Sequence, residues 1–347
     1  MTQPIDPPDT EPRRSLPRQL FLGGFVFVAT LVILVGLGAV VRGSVTASPT
    51  PSASRVAMVP ATEGPSGTIG PSSPLSSPDA APSGDPVLIG AGDIASCDRD
   101  DDRRTAAILA DQPGIVFTAG DNVYPSGTLG QFADCYDPTW GRELQRTRPV
   151  PGNHDHETAG LAGYLGYFGD AAKSDGTTWY SYELGDWHVI ALDATCAAAG
   201  GCGPDSEQGR WLAADLAASP ATCTLAIWHQ PRFSSGEHGN DASVEPFWDA
   251  LYAAGADVVV NGHDHDYERF APQDPAGQAD RTRGIREFVV GTGGAELRGF
   301  SAQAANSELR VAGYFGVIRF VLHRSSYEWS FLTTAGVAAD AGLGFCH

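Results

Sequence analysis

One construction recurs five times in this chain and limits what it can fold into: a short apolar run that delivers, at its end, a side chain able to bind metal. Ile115-Val116-Phe117-Thr118 lead through Ala119-Gly120 to Asp121 and, three residues on, to Tyr124. Val87 to Ile89 lead through Gly90-Ala91-Gly92 to Asp93, and Pro149-Val150-Pro151-Gly152 lead to Asn153 and His154. Leu225-Ala226-Ile227-Trp228 end on His229, and Asp257 to Gly262 end on His263, Asp264 and His265. Apolar, β-branched runs of this length read as buried parallel strands, whose C-terminal ends carry the chemistry of open α/β sheets. Five such ends converging on one edge predict an α/β fold with a single polar site there.

The rest of the region alternates to match. Helices are predicted over Asp101 to Ala110, Ser206 to Ala218 and Pro246 to Ala254, the second with Trp211, Leu212 and Leu216 on one face. Thr178 to Leu184 and Trp187 to Leu192 flank Gly185-Asp186, a hairpin signature. Arg286 to Val290, Phe315 to Leu322 and Tyr327 to Leu332 read as antiparallel strands closing a second sheet. One domain over residues 86–347 accounts for all of this.

The preceding residues do not read as globular. After a tail, 1–19, that holds Arg13, Arg14 and Arg18, the uncharged apolar run 20–41 would be a helix about 33 Å long and could span a bilayer. Three arginines before it against Arg42 after it place the N-terminus in the cytoplasm and everything downstream outside. A cleaved signal sequence, with Val45-Thr46-Ala47 as its small-residue site, is the alternative, and both readings export the domain. Residues 42–85, rich in Pro, Ser, Thr, Ala and Gly, cannot offset the entropy of ordering and form a linker roughly 35 Å in reach.

All six cysteines lie beyond that linker, which favours disulfides in an oxidising compartment. Cys196 and Cys202 can close the Ala/Gly-rich loop between them, and Cys97 with Cys135 and Cys223 with Cys346 is one pairing of the other four. No Cys-x-x-Cys pair exists, so thiolate metal ligation is not indicated. A net charge of -19 argues against a nucleic-acid surface.

Gly92-Asp93, Gly120-Asp121-Asn122-Val123-Tyr124, Gly152-Asn153-His154-Asp155, Trp228-His229 and Gly262-His263-Asp264-His265 resemble, in order, the five-block signature of the calcineurin-like metallophosphoesterases, specifically their purple acid phosphatase branch. The resemblance extends to His229 to Ser235 and to Gly291-Thr292-Gly293-Gly294. It implies a four-layer α/β/β/α sandwich holding two metal ions: Asp93, Tyr124 and His265 on one, Asn153, His229 and His263 on the other, and Asp121 as the bridge. Two carboxylates and a phenolate supply three negative charges, which a trivalent and a divalent ion would overcompensate, leaving a positive site for a phosphate. Hard oxygen donors suit Fe(III), while an amide with two imidazoles suits Zn(II), Fe(II) or Mn(II). The wider family carries a histidine where Ala95 stands; the purple branch also lacks it and uses the tyrosine instead, though it more often has glycine at that position.

The implied reaction is hydrolysis of a small phosphomonoester by in-line attack of a metal-bound hydroxide. His154, oriented by Asp155, resembles the family's acid or electrostatic clamp. His238, nine residues past His229, is read either as a second phosphate contact or as an exposed loop residue. His156 is read as exposed and His188 and His323, in strands, as structural. Tyr267, Glu268 and Arg269 are read as supporting the ligand loop. A phosphodiesterase or nucleotide hydrolase on the same centre is the alternative activity, and a non-catalytic cell-surface binding module is the third reading.

Overall fold

The apolar run Ile115–Thr118 pairs in parallel with Val87–Ala91 on one side and with the two-residue strand Thr147–Arg148 on the other. The computed structural model describes residues 84–172 and 176–347; the apolar run 20–41 and nearly all of the linker lie outside them. The third ligand-bearing run is thus mostly not strand: Pro149 and Pro151 have no N–H to give a ladder, and pairing stops before them.

Beyond Val87–Ala91 the first sheet continues antiparallel through Gly316–Leu322, Ser326–Thr333 and Ala338–Phe345, giving six strands. A second sheet of seven strands has Val258–Asn261 at its centre, flanked in parallel by Cys223–Ile227 and Arg286–Val290. Trp187–Ala191 pairs parallel to Cys223–Ile227 and closes the Gly185-Asp186 hairpin with Tyr180–Leu184. Tyr267–Phe270 and Ser307–Val311 complete the other edge. Two expectations are corrected here. The five ligand-bearing runs are divided three and two between the sheets rather than sharing one edge. Arg286–Val290 lies in the second sheet, parallel to Val258–Asn261 on one side and antiparallel to Tyr267–Phe270 on the other, apart from Gly316–Leu322 and Ser326–Thr333.

Period-two alternation sends the same strands into two cores. Val189, Leu225, Val258, Val260, Phe288 and Val290 face the first sheet, with Phe288 edge-on to Phe320 at 5.3 Å and Tyr267 stacked on Phe331 at 4.1 Å. Ile190, Ala226, Val259 and Val289 face outward, against Leu212 of the helix Glu207–Ala218 and Phe247, Trp248 and Leu251 of the helix Glu245–Ala254. Ser206 caps the first of these helices by accepting from the Gly209 N–H, and Gly255, at φ +80°, ends the second. Asp102–Ala110 covers the first sheet, where the Trp140 indole donates to Thr105 at 3.0 Å. Among the described residues no helix is long and apolar enough to cross a membrane.

The cysteines pair as Cys97–Cys135, Cys196–Cys202 and Cys223–Cys346, which settles the pairing the sequence left open.

Candidate metal centre

Loops from both sheets meet where the parallel strands end. Asp93 follows Val87–Ala91, Asp121 and Tyr124 follow Ile115–Thr118, and Asn153 follows Thr147–Arg148. His229 follows Cys223–Ile227, while His263 and His265 follow Val258–Asn261. Asp93, Asp121 and His263 take positive φ values of 59°, 48° and 71°. Each such non-glycine residue costs about 1–3 kcal/mol, a strain that collects where geometry serves a site. The surrounding glycines allow the approach: a Cβ on Gly120, itself at φ +80°, would fall 2.5 Å from His229 Nδ1, and one on Gly152 would fall 2.2 Å from Asp121 Oδ1.

Each carboxylate has one oxygen tied to backbone and one facing inward. Asp93 Oδ2 accepts from the His263 N–H at 2.8 Å, and Asp121 Oδ1 accepts from the His154 N–H at 2.8 Å. The Tyr124 hydroxyl then lies 2.7 Å from Asp93 Oδ1, 2.9 Å from Asp121 Oδ2 and 3.2 Å from His265 Nε2, with His265 Nε2 3.1 Å from Asp93 Oδ1. On the other side, His229 Nε2 is 3.1 Å from Asp121 Oδ2 and 3.2 Å from His263 Nδ1. One oxygen, Asp121 Oδ2, touches both groups. Parallel pairing of Ala95-Ser96 with Val123-Tyr124 fixes the tyrosine's loop, with Ala95 buried beside it.

Burial alone would raise both carboxyls, but the neighbouring imidazoles prevail: His265 holds Asp93 well below the usual carboxylate range, and His229 holds Asp121 below it. Burial and then those two carboxylates push the Tyr124 phenol well above its ordinary value. Burial works against a charged His229, yet Asp121 lifts it to about 9; His263, buried beside that charge, is pushed down to about 3. Asp266, buried one residue past His265 with both carboxyl oxygens unpartnered among the described residues, is pushed up to about 9 by burial and by Asp264 and Glu268.

These residues fit a pair of cations. Two carboxylates, a phenol and three imidazoles crowd one another's lone pairs, a collection that protons satisfy poorly and metal ions satisfy well. Asn153 Oδ1 is buried with no hydrogen-bond partner among the described residues, which costs about 1–3 kcal/mol unless it ligates something. His229 Nδ1 donates to the Ala119 carbonyl at 2.8 Å, so its Nε2 is the nitrogen presented to the site, the arrangement usual behind a metal-bound imidazole.

Of the three candidate catalytic residues, His154 is best placed. Its ring lies 4.4 Å from that of Tyr124, its Nδ1 is 2.6 Å from the Pro125 carbonyl, and its Nε2 is 4.0 Å from Asp121 Oδ2. Asp155 makes no hydrogen bond to the His154 imidazole. Asp155 Oδ2 instead accepts from the N–H groups of Gly152 and Asn122 and from the Asn122 amide, at 2.9, 3.1 and 2.9 Å. His238 is exposed, stacks on His263 at 4.2 Å and takes a hydrogen bond from Arg298 at its Nε2. A cavity of about 460 Å³ opens beside this array, lined by Tyr124, His154, His265, Arg99, Glu296 and Arg298.

Other histidines differ in part from their sequence reading. His156 is largely buried and bonded to Asp193, because Asp193 sits at the end of another parallel strand, Trp187–Ala191. His188 is structural as expected, held between Glu183 and Asp215, whereas His323 falls in the turn before Ser326–Thr333 rather than within a strand. Glu268 supports the His238 loop by accepting from Ser235, but Tyr267 and Arg269 bind Asp340 instead. Sequence reasoning missed Asn122, Arg298 and the loop-holding role of Asp264, which accepts from the Ser234 hydroxyl and the His238 N–H. The signal was present for Asn122, inside the quoted block, and for Arg298, four residues past Gly294.

The profile of the Calcineurin-like phosphoesterase family matches residues 88–267. Purple acid phosphatase 15 of Arabidopsis thaliana is 29% identical over 233 residues, 56% of this chain and 42% of that protein. Acid phosphatase A of Cryphonectria parasitica is 31% identical over 160 residues, 39% of this chain and 31% of that protein. The chain thus spans less than half the length of these curated relatives. The structure of a purple acid phosphatase from yellow lupin (Lupinus luteus) seeds superposes with a TM-score of 0.61 over 74% of this chain and 53% of that one, at 17% identity, a likeness of fold. The family match begins on the strand that delivers Asp93 and ends just past His265, enclosing every candidate ligand, and the chain belongs to the calcineurin-like phosphoesterases.

Proposed function

We propose that this chain is an extracytoplasmic, metal-dependent phosphatase that hydrolyses phosphomonoesters at a dinuclear centre. The observation that carries the reading is the position of Asp121 Oδ2, 2.9 Å from the Tyr124 hydroxyl and 3.1 Å from His229 Nε2, as a bridging ligand must be. Asp93, Tyr124 and His265 would hold one ion, and Asn153, His229 and His263 the other. The family relationship implies two metals; the phenol and two carboxylates favour Fe(III) in the first place and Zn(II), Fe(II) or Mn(II) in the second. Bound there, the ions would supply Lewis-acid chemistry, neutralising phosphoryl oxygens and acidifying water.

The chain's own residues do the rest. His154 Nδ1 donates to the Pro125 carbonyl, which fixes the ring so that Nε2 faces the site and can pass a proton to the leaving oxygen. Asp155 positions His154 through the backbone, holding Gly152 and Asn122, rather than through the imidazole. His238 stands at the rim for a phosphoryl oxygen, and the adjoining cavity takes the ester's organic group.

Three disulfides support an oxidising compartment. With 20–41 as anchor or signal and 42–85 as linker, the domain 86–347 would work outside the membrane. The test is the full chain, reconstituted with iron and zinc, on p-nitrophenyl phosphate and bis(p-nitrophenyl) phosphate. A strong monoester preference is the expected result. A diester preference would transfer the reading to a phosphodiesterase, and two bound metals with neither activity would leave a binding module.

A further inference from the structure

Arg298 enters the site from an irregular loop, and its guanidinium is fixed on two sides. Nε and Nη2 clasp Glu296 at 2.9 and 2.7 Å, while Nη1 lies 2.8 Å from His238 Nε2. Its backbone N–H donates to the His265 carbonyl at 2.9 Å, which ties the loop to the ligand strand end. A guanidinium can only donate, so His238 Nε2 accepts and the ring's proton lies on Nδ1. Three of the five guanidinium N–H groups are engaged, leaving two free among the described residues. The side chain is about a quarter exposed and lines the same cavity as Tyr124, His154 and His265.

We infer that Arg298 is a specificity-determining residue, which presents a pre-oriented cation and two N–H donors to the phosphoryl group and favours dianionic phosphomonoesters over monoanionic diesters. The inference rests on the phosphate-binding half of the reading above. An arginine held in a fixed plane loses little freedom on meeting phosphate, which its fork matches. Glu296 orients that plane and offsets part of its charge, and Glu237 stands 4.0 Å away, so the preference is a graded one. A diester brings one negative charge where a monoester brings two, so the same guanidinium discriminates between them through charge as well as through hydrogen bonds.

The test is calorimetric binding of two probes to the metal-loaded full chain: inorganic phosphate, at a pH where it is a dianion, and dimethyl phosphate, always a monoanion. Arg298→Gln should weaken phosphate binding about tenfold and dimethyl phosphate binding by about threefold or less. Arg298→Lys, which keeps the charge and loses the fork, should recover most of the discrimination between the probes. Metal content and thermal midpoint, measured alongside, should match the wild type. An equal loss for both anions would assign Arg298 to loop structure, and no loss, or a wild type that binds neither probe, would overturn the inference. Arg298-dependent phosphate binding in a protein that hydrolyses no ester would sustain the inference and remove the phosphatase reading.

Discussion

Asp155 offers a substitution whose sign can be worked out against intuition. Its Oδ2 accepts three hydrogen bonds, from Gly152, from the Asn122 backbone and from the Asn122 amide, while Oδ1 is buried with no partner among the described residues. Asparagine, with its carbonyl oxygen in the place of Oδ2, keeps all three bonds and deletes the charge. Burial and then the Asp121 charge push this carboxyl from 3.8 up to about 6, so the folded protein holds the proton more tightly than the unfolded chain does. The stability contributed by that proton is fully present below the unfolded value and is lost as pH rises through about 6, a loss of about 3 kcal/mol. Relative to wild type, Asp155→Asn should therefore gain up to about 3 kcal/mol between acidic and neutral pH in the metal-free protein, on top of a pH-independent cost for the amide N–H groups in the unpartnered place of Oδ1. Asp155→Ala removes the same charge but strands three buried donors at about 1–3 kcal/mol each, so it should be destabilising. Urea unfolding of the metal-free chain across this pH range measures both. Bound cations offset Asp121, so the gain should shrink on metal loading. An asparagine variant no more stable relative to wild type at neutral than at acidic pH would refute the reasoning.

Other outcomes follow from single contacts. His154→Ala should lower kcat by about 100- to 10,000-fold with metal content unchanged, and retained turnover would remove it from proton transfer. Tyr124→Phe should abolish any visible charge-transfer absorption of the iron-loaded protein, while a colourless wild type with two zinc ions would exclude Fe(III) but not hydrolysis. Removing Cys196–Cys202, six residues apart, should cost about 2 kcal/mol, and removing Cys223–Cys346, 123 apart, about 5 kcal/mol, read as urea midpoints; the reverse order would contradict the loop-entropy account. Metal uptake should release protons, because His229, lifted to about 9, and Tyr124 must give theirs up; affinity should therefore fall as pH falls below about 9, and an uptake independent of pH would contradict the ligand set.

The strand-end residues were legible because each is a local event: an apolar run stops and one side chain is delivered. The division into two sheets was not, because it depends on the edge of Val87–Ala91 being taken by Gly316–Leu322, a pairing of segments more than 200 residues apart that neither run encodes alone. The tail strands alternate in the manner of antiparallel pairs, and Arg286–Val290 does pair antiparallel with Tyr267–Phe270, but its other edge pairs in parallel with Val258–Asn261, while its Phe288 packs on Phe320 and Trp329 of the first sheet.

Asn153–His156 shows where adjacency misleads. Reading His154 and Asp155 as a hydrogen-bonded pair assumes that neighbours in sequence face one another, but these four residues form one helical turn. Successive side chains on a helix diverge by about 100°, so each of the four addresses a different partner. Asn153 leaves its amide oxygen buried and unpaired, His154 turns to Pro125 and Tyr124, Asp155 reaches back to the Gly152 N–H, and His156 reaches Asp193. The backward reach of Asp155 is the acidic half of a capping box, a role its position three residues past Gly152 also carries. A histidine next to a carboxylate on a helical turn is therefore held by what caps the turn. The carboxylate acts on His154 by fixing where the helix begins, so its removal should displace the imidazole and loosen its hydrogen bond to the Pro125 carbonyl.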